Sequence, residues 1–363
     1  MVKKKTGISR DLIIHPGETI ADVLAERHIT QADLAIRTGV SPAYVSAVIS
    51  GKNNISAKFA QSLEYALGVP ASFWLNLQAN YDAELMAYNE LLTITEEERN
   101  VYVALREVVN FLRSRSYISN CSTDDEYILS ARKFLKISNL VNLKKVIPQG
   151  SFRLDRSVTV NPYVMGAWIR LCQISGEGKT VSCCFNPEKK QNLIEGLKAI
   201  MCDQSANIQI SLQNLMEKHG IVFSVTKNFR GAPVQGYIDK REDGTYQIVQ
   251  TIRRSYADIF WFSLFHEIGH LVNGDVERYS RFIDDGSNDE KEYLADQFAR
   301  DNLLDPLSYQ SFISHNKFDI ASISDYAKTQ NVMPYIVIGR LQKEKLIEYS
   351  QYSSYKLRYK WAE

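Results

Sequence analysis

The sequence predicts a multi-domain α+β chain, mostly helical, with one small β-sheet. Three observations carry this. Short helical stretches with capping residues follow one another from His15 to Gly68. A β-branched run with a hairpin signal occupies residues 220–250. An apolar helical segment, Tyr256 to Phe265, runs into His266-Glu267-Ile268-Gly269-His270 and is followed by a second helical stretch, Asn288 to Ala299. At 363 residues the chain has the length of two or three domains. A hydrophobic content of 45% suffices for ordinary cores, and a net charge of +1 singles out no partner.

The N-terminal elements follow in order. His15-Pro16-Gly17-Glu18 opens a helix ending near His28. Thr30 caps a second, with Asp33 three residues on, close to a capping box, and Gly39 stops it. Ser41 caps a third, with Pro42 at the tolerated first position, reaching Gly51 through Tyr44, Val45, Val48 and Ile49. Ser56 caps a fourth, from Lys58 to Leu67, ended by Gly68. Two short helices around a glycine-containing turn are the signature of a helix-turn-helix.

With its His-Pro-Gly-Glu opening, Gln31, Leu34-Ala35, Gly39-Val40-Ser41 and the closing Ser72-Phe73-Trp74-Leu75-Asn76-Leu77-Gln78-Ala79-Asn80-Tyr81-Asp82, the stretch from about 10 to 90 resembles the helix-turn-helix domain of HigA-type antitoxins, within the lambda-repressor-like (XRE) class. The resemblance implies that the helix from Ser41 to Ser50 enters the major groove of double-stranded operator DNA. Ser41, Pro42, Ala43, Tyr44 and Ser46 are then the candidates near base edges, with Gln31 and Lys52 on phosphates, which position the protein without specifying sequence. Charge sets a limit. Over residues 1–80, eight basic residues (Lys3, Lys4, Lys5, Arg10, Arg27, Arg37, Lys52, Lys58) face six acidic ones (Asp11, Glu18, Asp22, Glu26, Asp33, Glu64). Phosphate neutralisation supplies much DNA affinity, so a homodimer is expected. The bland alternative is a helix-turn-helix used for protein contacts alone. The Lys3-Lys4-Lys5 run reads as a solvated tail more readily than as an arm reaching DNA.

A helical connector is expected next, placing the boundaries at 1–92, 93–150 and 151–363. Thr95-Glu96-Glu97-Glu98 starts a helix with apolar Val101, Leu105, Val108, Val109 and Leu112, and charged Arg99, Arg106, Glu107 and Arg113 on its exposed face. Ser122-Thr123-Asp124 starts another through Ile128, Ala131, Phe134 and Leu135. Pro148-Gln149-Gly150-Ser151 reads as a loop, and residues 160–173 and 187–202 as helices. Ile221 to Val225 is a short strand, and Glu242-Asp243-Gly244 separates two more, Val234 to Asp239 and Tyr246 to Val249. An edge of such a sheet can hold extended peptide by strand addition, an idea that Gly236→Pro would probe.

The H-E-x-x-H stretch carries the chemistry. His266 and His270 lie one helical turn apart and can reach one metal ion, while Glu267 sits beside it, placed to take a proton from an attacking water. Charged and polar groups in so apolar a helix are costly unless paired or metal-bound. The alternative is a pair of core histidines. A catalytic zinc site needs a third protein ligand and one open position. Glu292 and Asp296, four residues apart on the next helix, offer a third ligand and an acceptor for the free ring nitrogen of a ligand histidine. Glu290 and Asp289 are the runners-up, and a solvated acidic face is the competing reading.

The pairing of His266-Glu267-Ile268-Gly269-His270 with Glu292-Tyr293-Leu294-Ala295-Asp296-Gln297-Phe298-Ala299 and Leu303-Leu304-Asp305-Pro306 resembles the ImmA/IrrE family of metallopeptidase domains. That resemblance, over about 190–310, implies a zincin-like domain with Zn²⁺ held by His266, His270 and Glu292, Glu267 as general base, and a protein substrate such as a repressor or a toxin-associated regulator. Asp305 before the proline departs from the family pattern. The oxyanion donor is not identified: Tyr279, Arg253, Arg254, Tyr309 and His315 are near in sequence, and none stands out. The tail from Tyr349 to Trp361, rich in tyrosine and basic residues, reads as an element folding onto the body, with a nucleic-acid grip as the alternative.

No apolar run approaches the roughly 20 residues of a membrane span. The start, Met1 to Arg10, has no apolar core of a secretory signal. The five cysteines, Cys121, Cys172, Cys183, Cys184 and Cys202, make no C-x-x-C pair. A cytoplasmic protein without membrane contact is expected.

Overall fold

The computed structural model describes residues 10–147, 159–203, 207–276 and 287–360, with side chains from residue 290 onward in the last stretch. The expected Lys3-Lys4-Lys5 tail, the loop at Pro148, Tyr279 and the side chain of Asp289 lie outside the described residues. The chain divides into two compact units, residues 1–99 with 119–130, and residues 100–118 with 131–363. The stretch expected as a connector is thus shared between them.

The first unit opens with α1 (Pro16–Glu26), α2 (Gln31–Thr38), α3 (Pro42–Ile49), α4 (Ala57–Leu67) and α5 (Ala71–Leu92). Its caps are those the sequence predicts: Thr30, Ser41 and Ser56 accept from the backbone N–H three residues on, and Gly39 and Gly68 end helices in the left-handed conformation. The His-Pro-Gly opening has a physical reason. His15 Nδ1 accepts from the Gly17 N–H, and a Cβ on Gly17 would lie 2.1 Å from the Val48 carbonyl oxygen, so only glycine lets α1 meet the end of α3. The closing motif works similarly. Trp74 is buried with Leu34, Val45, Val48 and Phe59, Gln78 accepts from the Ile55 N–H and donates to Asp82, and Tyr81 packs edge-on against His15.

One expected helix is two. The run from Glu96 breaks at Leu105 into α6 (Glu96–Ala104) and α7 (Arg106–Ser114). Leu105, at ψ 1°, opens the backbone while its side chain stays buried. Arg99, expected on the exposed face, is half-buried and grips Asp125 with two hydrogen bonds. Next come α8 (Asp124–Leu135), α9 (Pro162–Gly176), α10 (Lys190–Cys202) and α11 (Ile208–Lys218), the last not read from the sequence.

The sheet of the second unit comprises β1 (Ile221–Thr226), β2 (Gly236–Lys240) and β3 (Tyr246–Thr251), in the order β1-β3-β2. β3 runs parallel to β1 and antiparallel to β2, with Ile238 opposite Ile248. The expected turn residue Gly244 has φ +82°. Two helices follow, α12 (Ala257–Asn273) and α13 (Ser287–Leu303), then α14 (Pro306–Ser314), α15 (Ile320–Thr329) and α16 (Pro334–Lys343). Their core joins Phe223, Ile248, Trp261, Leu264, Phe265, Ile268, Ala299 and Leu341. Asp305 caps α14 by accepting from the Ser308 N–H.

The tail folds onto the start of α12. The Leu357 carbonyl accepts from the Ala257 N–H, the Ser255 carbonyl from the Tyr359 N–H, and Trp261 donates to the Tyr359 hydroxyl. Among the described residues, no helix is long and apolar enough to cross a membrane.

Candidate functional site

Helix α12 is buried along nearly its whole length, so the polar residues it carries must be satisfied inside the unit. His266 is 1% exposed and Glu267 2%. Each histidine is held from behind. His266 Nδ1 lies 2.7 Å from Asp296 Oδ1, and His270 Nδ1 lies 3.0 Å from Asp275 Oδ2. A carboxylate only accepts, so both Nδ1 atoms carry a proton, and in the neutral form of either ring the lone pair is on Nε2. Those Nε2 atoms are 3.1 Å apart. Glu292 completes the group, its two oxygens 3.2 Å from His266 Nε2 and 3.4 Å from His270 Nε2.

Two ring nitrogens facing each other beside a carboxylate favour a positive charge between them, which a proton on His270 or a bound cation can supply. The donor atoms of His266, His270 and Glu292 all lie within 4.8 Å of one another, close enough to share one metal ion. Two histidines and a glutamate, with carboxylates behind the rings, are donor types that could hold a divalent metal ion. Without an ion, the carboxylates hold a proton on His270. Burial by itself lowers the His270 pKa, but hydrogen bonds to Asp275 and Glu292 outweigh it and push the imidazole up to about 10. Burial likewise raises Glu292, yet its hydrogen bonds to His266 and His270 hold it well below the usual carboxylate range.

The sequence-derived residues converge as expected for His266, His270, Glu292 and Asp296. Glu290, the runner-up, is exposed and outside the group. Asp275 was missed. Gly274 ends α12 at φ +75°, which turns the chain back so that Asp275 meets His270. An acid directly after a glycine C-cap is the signal that could have found it.

Glu267 points toward the sheet. A Cβ on Gly236 would lie 2.5 Å from Glu267 Oε1 and 2.8 Å from Gln250 Nε2. Glycine at the start of β2 therefore lets the strand pass over the carboxylate. For this reason Gly236→Pro does not isolate strand addition, because the residue touches Glu267 itself. Among the oxyanion candidates, Tyr309 is buried and donates to Glu344 under the Arg340 guanidinium, a packing role. His315 is exposed, with Nδ1 against the Ser311 carbonyl.

In the first unit the α2–turn–α3 pair presents Gln31, Ser41, Pro42, Ala43, Ser46 and Lys52 to solvent. The Ser41 hydroxyl accepts from the Tyr44 N–H, so it serves the helix start. Tyr44, the other base-edge candidate, differs in burial. It is half-buried with its ring edge-on to Phe59, 5.1 Å between centroids, so part of it belongs to the core. The family model for Helix-turn-helix matches residues 20–74. The N-terminal segment belongs to the helix-turn-helix family.

Solved structures similar to this helix-turn-helix segment include an addiction module antidote protein of the HigA family from Coxiella burnetii, 30% identical over 23% of this chain and 95% of that one, TM-score 0.21. The antitoxin HigA from Pseudomonas aeruginosa, solved with the higBA promoter, is 38% identical over 21% of this chain and 83% of that one, TM-score 0.20. A third, a Pseudomonas aeruginosa protein solved in complex with its operator DNA, is 36% identical over 20% of this chain and 80% of that one, TM-score 0.20. No curated protein matches the chain.

Proposed function

We propose that the chain is a DNA-binding regulator whose second unit is a zinc-dependent endopeptidase acting on a partner protein. The observation that carries the enzymatic half is the convergence of His266 Nε2, His270 Nε2 and Glu292, with the Glu267 carboxylate near enough to raise the His270 pKa. The ImmA/IrrE resemblance supports it, and implies a repressor or toxin-associated regulator as substrate. A zinc ion held by His266, His270 and Glu292 would supply Lewis acidity toward the scissile carbonyl and lower the pKa of a water to about 7. The protein's own parts are then definable. Asp296 and Asp275 fix the two imidazoles in the tautomer that offers Nε2. Glu267 takes the proton of the attacking water and delivers it to the leaving amine.

The DNA-binding half rests on the helix-turn-helix domain and on relatives solved with a promoter or an operator. In this reading α3 enters the major groove with Pro42, Ala43 and Ser46 foremost, and Gln31 and Lys52 contact phosphates. The weak positive balance of the domain makes a homodimer the binding species, at a toxin–antitoxin or stress-response locus in the cytoplasm.

A second reading has one observation in its favour: the relatives described as antidote or antitoxin match only the first fifth of the chain. In that version the chain is a non-proteolytic antitoxin or repressor whose second unit binds a partner or senses a signal. Metal content separates the two. About one zinc per chain, lost in Glu292→Ala, is expected; a metal-free protein even after zinc addition would overturn the peptidase reading. With zinc in place, Glu267→Gln must abolish cleavage of the partner while leaving the metal bound.

A further inference from the structure

The second unit holds a cavity of about 370 Å³ that none of His266, His270 and Glu292 lines. Its wall is formed by α12, α13 and α16 together with the strand–helix turn at Arg254. That volume is within the range of small-molecule sites. Ile259, Phe262, Leu303 and Ile336 give it an apolar face.

Its polar face is basic. Arg254, Arg300, Arg340, Lys343 and Lys356 line the cavity, against Asp258, Asp296 and Glu344. Each of the three carboxylates has a cationic or imidazole partner, while Asp258 Oδ1 has no hydrogen-bond partner among the described residues. Asp258 binds Lys356 at 2.6 Å, Glu344 binds Arg340 at 2.9 Å, and Asp296 holds His266 at 2.7 Å. Arg300 and Lys343 have no carboxylate partner among the described residues; Arg300 lies 5.8 Å over the Tyr293 ring. A second observation points independently to a ligand. Ser263 lines the same cavity, is 2% exposed, and its hydroxyl has no hydrogen-bond partner among the described residues. A buried hydroxyl in that state calls for a polar group to meet it.

We infer that this cavity binds a small organic anion: an anionic head, carboxylate or phosphate, on a short apolar body. Arg300 and Lys343 neutralise the head, Ser263 donates to it, and the body lies against Phe262 and Leu303. Asp296 belongs both to this wall and to the support of His266, so the occupant also touches the back of the metal centre, a consequence that rests on the metal reading.

Isothermal titration of the full chain tests the binding. Phenyl phosphate and benzoate are the probes and distinguish the two head groups; inorganic phosphate and benzyl alcohol supply head and body alone. One of the two probes is expected to bind below millimolar, with each half-probe at least about tenfold weaker. Lys343→Glu, on the exposed rim, is expected to weaken binding about tenfold, and Arg300→Gln similarly. Chelator-treated, metal-free chain should bind as the untreated chain does, which keeps this test separate from the fate of the metal reading. No binding of either probe, binding unchanged in both variants, or binding lost with the metal would each overturn the inference.

Discussion

Gly269 faces Ala295 so closely that a Cβ on the glycine would lie 3.0 Å from the Ala295 Cα and 3.1 Å from its carbonyl oxygen. The glycine inside the H-E-x-x-H helix is thus where α12 and α13 touch backbone to backbone. That contact brings Glu292, three residues before Ala295, up to the two histidines. Gly269→Ala must push α13 away by some tenths of an ångström. We expect zinc affinity to drop about tenfold, in the range of other supporting-residue losses, with circular dichroism unchanged. Zinc titration against a chromophoric chelator measures it; wild-type affinity would show that the helix contact does not set the Glu292 position.

Asp296 and Asp275 hold equivalent ring nitrogens, so their amides should behave alike. Asp296→Asn and Asp275→Asn each keep the shape and remove the charge. Each is expected to cost about 10–100-fold in zinc affinity. If Asp275→Asn binds zinc as the wild type does, the helix-end turn at Gly274 has only a structural role.

Gly236 and Glu267 offer a way to separate metal binding from chemistry. The added methyl of Gly236→Ala would fall 2.5 Å from Glu267 Oε1 and 2.9 Å from its Cγ, so the carboxylate has to move. Zinc content should remain at the wild-type level while partner cleavage falls by about 10²-fold, the usual cost of misplacing a reacting group by an ångström. Undiminished cleavage would remove Glu267 as the base.

The pH dependence of stability follows from the same cluster. His270 is raised from 6.5 to about 10 in the fold, so its contribution to the metal-free protein is complete below pH 6.5 and is lost as pH rises through about 10. Glu292, held low, contributes above 4.5 and loses that contribution as pH falls below it. If zinc binds through His270 it must displace that proton, so its stabilising effect is expected to grow as pH rises toward about 10. Thermal melts with and without zinc between pH 6 and about 10 should diverge with rising pH; a constant gap would mean that zinc does not displace that proton.

The parts of the molecule legible in the sequence share one property: their signals are local. Thr30, Ser41 and Ser56 cap within three residues, His266 and His270 share a face by spacing alone, and Glu292 and Asp296 repeat that logic on α13. What stayed hidden depends on contacts distant in sequence or on weak local patterns. Gly236 over Glu267 is a meeting of strand and helix, and Lys356 on Asp258 joins residues 98 positions apart, as does Trp261 with Tyr359. The caps Asp305 and Asp319, with prolines at 306 and 334, did announce α14 to α16; their short, mixed apolar spacing obscured the helices. Tyr44 is legible both as part of the apolar run of α3 and as a candidate at the DNA face, but its partner Phe59 lies on another helix.

That double role dictates how the DNA face is tested. Tyr44→Ala removes a half-buried ring from the Phe59 contact and should cost about 2 kcal/mol of domain stability, so lost operator binding in that variant would be ambiguous. Tyr44→Phe keeps the ring and removes only the hydroxyl. If the hydroxyl reads a base, the variant relaxes specificity at one operator position by about 1–3 kcal/mol with an unchanged melting temperature. Lys52→Ala, at an exposed position after α3, should weaken binding evenly across sequences and lower the salt slope by about one per subunit. Fluorescence anisotropy at a series of salt concentrations reads both. A Lys52 variant with the wild-type slope would place the phosphate contact elsewhere, and Tyr44→Phe with wild-type specificity would leave the readout to Pro42, Ala43 and Ser46.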